Sequence, residues 1–158
     1  MARAQRRASQ SAAELPRDTF VLDNGGYSIK AGYAPCDTTP DAESLSLCEV
    51  IPNCLVRSRE RKVYVAAQID KITQWSEAVF RRPVENGQLV NWEAEKEIWE
   101  YSFFDEQTAH GKTFIGNPSD TTLLLAESPN TMPALQKNAD EIIMEEWGFG
   151  GYLRTVGG

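Results

Sequence analysis

The stretch TFVLDNGGYSIKAGYA, residues 19–34, admits two readings with different consequences. Phe20, Val21 and Leu22 enter a strand, and Tyr27, Ile29, Ala31 and Tyr33 recur at every second position beyond Asn24-Gly25-Gly26. That is a β-hairpin pattern, and Asn-Gly is its strongest short signal because both central residues of a type I′ turn need positive φ. The other reading is a phosphate loop. Successive glycine N–H groups form a small anion-binding concavity, and the missing Cβ atoms let a phosphate approach. Asp23 before the glycines could hold Mg²⁺ through water, and Lys30 after them could neutralise phosphate charge. The loop alone leaves both readings open.

Outward from this hairpin, CEVIPNCLVRS (48–58) offers a third strand interrupted at Pro52, since proline cannot donate to a central ladder. Val63–Val65 predicts a short strand that turns helical through Ala67, Ile69 and Ile72. FRRPVENGQLVNW (80–92) reads as a connector, punctuated at Pro83 and Asn86-Gly87. Asn91 is placed as an N-cap with Glu93 and Glu95 in the first turn, where the helix dipole favours acids. The helix runs Trp92–Phe104, with Trp99 and Phe103 on the core stripe and Tyr101 off it. DEQTAHGKTFIGNPSD (105–120) reads as loop, and TTLLLAE (121–127) as a buried parallel strand. A second helix is predicted over Pro133–Trp147, capped by Thr131 or Asn130 and ended by Gly148. Strands followed by helix, strand and helix predict an α/β fold with a mixed sheet and flanking helices.

Composition narrows the function. The 158 residues carry a formal charge of −7, so their net field does not draw a polyphosphate backbone. No run approaches the length of a membrane-spanning helix, and no membrane partner is expected. Cys36, Cys48 and Cys54 form no CxxC pair and His110 is the single histidine, which fits neither a zinc site nor a disulfide scaffold and points to a reducing compartment. Gly111-Lys112-Thr113 is not a P-loop, because Glu106 stands where its first glycine belongs. Residues 1–18 are expected to be a disordered basic tail, with a mitochondrial targeting signal as the minor alternative. Glu141, Glu145 and Glu146 form either a solvated face or an acidic patch for a basic partner.

Three segments in this order resemble the actin family: LDNGGYSIKAGYA, FRRPVENGQLVNWEAEKEIWEYSFF and LLLAESPNTMPALQKNADEIIMEEWGF. The resemblance implies the N-terminal half of an actin-like, ribonuclease-H-like fold over residues 19–158, incomplete by itself, with residues 43–71 corresponding to actin's small subdomain. It implies residual nucleotide-phosphate contacts at Asp23, Asn24, Gly25, Gly26 and Lys30, with no direct metal ligand. Gly26 stands in the actin Ser/Thr place and Tyr27 in that of the second glycine. The final YLRTVGG is read as lying outside the family. The opposing phosphate loop and the catalytic glutamine of actins fall beyond this stretch, so no catalytic residue is expected here. ATP or ADP with Mg is expected in a full-length parent, without tight binding by this chain. Within the family the segments most resemble a nuclear class of actin-related proteins. That implies a scaffold of a SWR-type chromatin-remodelling complex that exchanges a variant histone into nucleosomes. Its partners would be the remodeller ATPase, a zinc-finger HIT-type subunit and, through the complex, histones. An actin-like ATPase or a cytoskeletal actin relative is the alternative.

Overall fold

The computed structural model describes residues 18–35, 48–109 and 111–157. The expected tail lies outside them apart from Asp18, which opens the first strand, and His110 and Cys36 also lie outside. β1 (Asp18–Asn24) and β2 (Ser28–Tyr33) form the anticipated hairpin, with Asn24 opposite Ile29. β3 (Glu49–Pro52) adds antiparallel to β2. Here the sequence reading needs correction: CEVIPNCLVRS is two strands in two sheets. β4 (Leu55–Arg57) belongs to a separate three-stranded sheet, flanked by β5 (Val63–Val65) and β6 (Val79–Arg81). The break falls after Pro52, which has no N–H to extend the ladder. A 3-10 segment, Ala66–Lys71, follows β5, and Cys54, Val56 and Ile72 form a small core under this sheet.

Residues 80–92 are more than a connector. β7 (Val84–Glu85) and β8 (Gln88–Leu89) pair across Asn86 and Gly87, whose φ values are 51° and 75°. Positive φ at both central residues, as a type I′ turn demands, therefore occurs at this Asn-Gly. Asn24, Gly25 and Gly26 all have negative φ, so the first hairpin closes by another geometry.

α1 (Trp92–Trp99) begins where Asn91 Oδ1 accepts from the Ala94 N–H at 3.2 Å, and continues through a wider π-type turn at Glu100–Phe104. β9 (Thr121–Glu127) lies parallel to β1 and, with β10 (Gly151–Val156), completes the five-stranded order β10-β9-β1-β2-β3. α2 (Pro133–Glu141) runs into a π-type turn at Ile142–Glu146, and Gly148 takes φ 66° beyond it. Neither Thr131 nor Asn130 caps α2. Met132 is the flanking residue, and the Thr131 hydroxyl donates to the Ser128 carbonyl at 2.9 Å instead. β10 (Gly151–Val156) pairs parallel with β9, so the segment read as foreign to the family completes the sheet.

The core sits between the sheet and the helices. Phe20, Leu22, Ile29, Leu123 and Leu125 point from the strands toward Ile98, Trp99, Phe103 and Ile143. The Trp99 ring stacks on Trp147 at 4.6 Å and meets Phe103 edge-on at 6.0 Å. Tyr101, expected to be freer, is half-buried against the same core. Burial of so large a ring dominates local packing, because the surroundings cannot collapse into the space it fills. Trp99→Ala is therefore expected to lower unfolding free energy by about 3–5 kcal/mol in urea titrations.

Candidate functional site

The loop between β1 and β2 is fastened from outside its own hairpin. Asn53, fully buried between β3 and β4, donates through Nδ2 to the Gly25 carbonyl at 3.0 Å, and its backbone N–H donates to the Tyr27 carbonyl at 3.0 Å. Arg82, after β6, reaches in with one guanidinium nitrogen. It donates to the carbonyls of Gly26, Tyr27 and Asn53 at 3.2, 3.3 and 3.4 Å. The Arg82 guanidinium also lies 4.9 Å from the centre of the Tyr27 ring.

All three loop carbonyls thus face protein donors. The N–H groups of Gly26 and Tyr27 make no hydrogen bond among the described residues, and that of Gly25 makes none outside the hairpin itself. Carbonyls tied back and amides left free is the polarity an anion cradle requires. Gly25 is also sterically required, and Gly26 is closely bounded. A Cβ at Gly25 would meet the Ser28 carbonyl oxygen at 2.6 Å, and one at Gly26 would meet Val84 Cγ1 at 3.3 Å.

Asp23 and Lys30 face each other across the ladder, joined by an ion pair of 2.9 Å with both side chains about half exposed. Such a pair contributes at most about 1 kcal/mol, so either partner is available to a ligand at small cost. A Cβ at Gly25 would lie 3.7 Å from Lys30 Nζ, which places the ammonium beside the free amides. These residues fit a phosphate group. Tyr27, in the place where actins have a second glycine, does not block the cradle with its ring, which is exposed and turned onto Arg82.

Glu95 stands in the first turn of α1, as expected, but its burial was not foreseen: it is fully buried, and its Oε1 accepts from Trp99 Nε1 at 2.6 Å. The i,i+4 spacing to a core tryptophan was the available signal. Burial pushes its carboxyl up from 4.5 to about 7, and hydrogen bonding from Trp99, Asn24 and Asn53 only partly opposes this. By strict hydrogen-bond geometry, however, Glu95 Oε2, Asn24 Oδ1 and Asn53 Oδ1 are all buried acceptors without a donor. A proton on the carboxyl supplies a donor to this group. Asn24, predicted as a nucleotide contact, is thereby drawn inward to the core side of the loop, whereas Asp23, Gly25, Gly26 and Lys30 gather at its outer side.

Elsewhere, the three predicted acids divide. Glu146 pairs with Lys96 and Glu141 with Lys137, while Glu145 has no ion pair among the described residues. Gly111-Lys112-Thr113 forms a 3-10 turn in which the Thr113 hydroxyl donates to the Ser102 carbonyl at 3.2 Å.

A mixed sheet with a glycine loop after its first strand and a small side sheet bracing that loop defines an actin-type domain. Residues 15–157 match the family described as Actin, and the chain belongs to it. It is 56% identical over 147 residues to actin-like protein arp6 of Aspergillus fumigatus, covering 90% of this chain and 31% of that protein. Identity to actin-like protein arp6 of Emericella nidulans is 58% over 151 residues, covering 93% and 32%. With actin-related protein 6 of Neurospora crassa it is 48% over 142 residues, covering 90% and 30%. The chain therefore spans about a third of the length of these relatives. The match through residue 157 also corrects the reading of YLRTVGG as unlike the family.

Two predictions follow from this geometry. Arg82→Ala removes the donor shared by three carbonyls, and exchange of the Asn53 amide, whose N–H donates to the Tyr27 carbonyl, is expected to rise about tenfold, as for a loss of about 1.4 kcal/mol, with β9 unchanged. For Glu95 the folded value lies above the unfolded one, so the folded chain holds a proton that the unfolded chain has released. Stability present below about pH 4.5 is lost as pH rises through about 7. The loss is on the order of 3 kcal/mol. Glu95→Gln, neutral throughout, is expected to flatten that decline in denaturant melts taken between pH 5 and 8.

Proposed function

We propose that this chain is the N-terminal part of a scaffold subunit in a nuclear SWR-type chromatin-remodelling complex, which exchanges a variant histone into nucleosomes and so acts in transcription regulation. The reading is supported by 56–58% identity to two proteins named actin-like protein arp6 across nine-tenths of this chain. The site supports a structural use of the loop. Its carbonyls are cross-braced by Asn53 and Arg82, and Asp23 is held by Lys30.

In the full-length protein the amides of Gly25, Gly26 and Tyr27, with Lys30, would hold the phosphates of ATP or ADP, and Asp23 would meet Mg through water. Bound there, the nucleotide supplies polyanionic charge that these groups neutralise. The chain's own contribution is to fix the loop and place a cation beside it. No residue of the described chain is assigned a catalytic role, and the scaffold reading needs none. Its partners are the remodeller ATPase, a zinc-finger HIT-type subunit and, through the complex, histones.

The actin-like ATPase reading is favoured by one observation, the free amides beside Lys30, which serve nucleotide holding under either function. Affinity purification of the full-length protein from nuclear extract separates the two. Recovery of the remodeller ATPase and the HIT-type subunit in stoichiometric yield is expected. A preparation that lacks both subunits, or that polymerises and turns over ATP like a cytoskeletal actin, contradicts the proposal.

A further inference from the structure

The small sheet carries its own small core on one face, and its other face is open beyond the buried Leu55. Val56 turns inward onto the Cys54 and Ile72 core, whereas Arg57 sits in register between Val63 of β5 and Val79 of β6, so these three side chains share the other face. Val63 is 47% exposed and Val79 64%. Leu55, one step along the same face, stands opposite Arg81. Together with Arg61 these residues line a groove of about 410 Å³ to which Glu97 of α1 adds the one acid.

Charge is concentrated here against the trend of the chain. Residues 48–82 carry seven Lys and Arg against four Asp and Glu, a net of +3 in a protein of −7. Arg81 is paired with Glu93 at 3.0 Å. Arg57 and Arg61 form no ion pair among the described residues, and both are exposed. Arg61 is held at φ 62°, its N–H donating to the Ser58 carbonyl at 2.9 Å. For a non-glycine residue that conformation is uncommon. It fixes the tip of the β4–β5 hairpin at the mouth of the groove.

The geometry points to a docking groove for an acidic, aliphatic-bearing segment of a partner protein, lying across β5-β4-β6 with its carboxylates on Arg57 and Arg61 and its aliphatic side chains on Val63 and Val79. Charge complementarity selects the acid, since two unpaired guanidinium groups present forked donors to carboxylates. The aliphatic floor selects a peptide over nucleic acid, whose phosphates gain nothing from exposed valines. None of the residues lining the groove belongs to the phosphate loop.

Fluorescence anisotropy of the intact chain tests this with a labelled eight-residue peptide alternating Glu and Leu, at physiological salt. A Glu/Gly peptide, a Lys/Leu peptide and a short DNA duplex serve as comparisons. The Glu/Leu peptide is expected to bind at least tenfold more tightly than the other three. Arg57→Gln with Arg61→Gln, and separately Val63→Thr with Val79→Thr, should each weaken it at least fivefold while leaving the circular dichroism melt in place. All four positions are solvent-facing, so both pairs should fold. The inference is overturned by no binding of the Glu/Leu peptide, by equal binding of Glu/Gly, by tighter binding of DNA, or by unchanged affinity in either folded variant.

Discussion

The arrangement depends on one guanidinium group. Arg82 leaves the small sheet directly after β6 and spans carbonyls of Gly26, Tyr27 and Asn53. Each bond is at the long end of the normal range, so no single one dominates. Together they make the conformation of the first loop a property of two sheets. A lysine would lose the planar guanidinium that also lies over the Tyr27 ring. Without Arg82, the loop carbonyls would have to turn to water, and the direction of the free amides would no longer be fixed.

Beneath that brace lies a buried polar group that the hydrophobic core would be expected to exclude. Glu95, Asn24 and Asn53 come from α1, the end of β1 and the turn between the sheets, and they meet where no charged side chain offsets the acid. Burial disfavours the carboxylate, so near neutrality the site exchanges a proton and with it a hydrogen-bond donor. Arg82 contacts the Asn53 carbonyl. The chain thus couples the protonation of a core acid to the residues that hold its loop from below, while Arg82 holds it from the side.

Much of this architecture was legible because local signals agreed with the tertiary outcome. The alternation from Phe20 to Tyr33, the Asn91 cap and the apolar TTLLLAE run each specify an element whatever packs against it, and all three are found. The failures arose where long-range contacts decide. Asn24-Gly25 looked like a type I′ turn because its composition matches that turn, yet Asn53 and Arg82 pull its backbone into a different shape. The real type I′ turn, at Asn86-Gly87, was hidden in a segment whose strands are only two residues each. Glu95 was placed by the preference of acids for first turns, a local signal that says nothing of the burial imposed by what packs over α1. Arg82 and Asn53 carry no local motif at all, since their partners lie 26 to 56 residues away.

The central claim is that the hairpin presents Gly25, Gly26 and Tyr27 amides as a preformed anion cradle, fixed by the small sheet before any ligand arrives. Titration of ¹⁵N-labelled chain with inorganic tripolyphosphate, followed by amide NMR, tests it most directly. The account predicts saturable downfield shifts confined to those three amides, reduced in Arg82→Ala. Shifts that are absent, or that appear instead at exposed lysines and arginines of the small sheet, would contradict it.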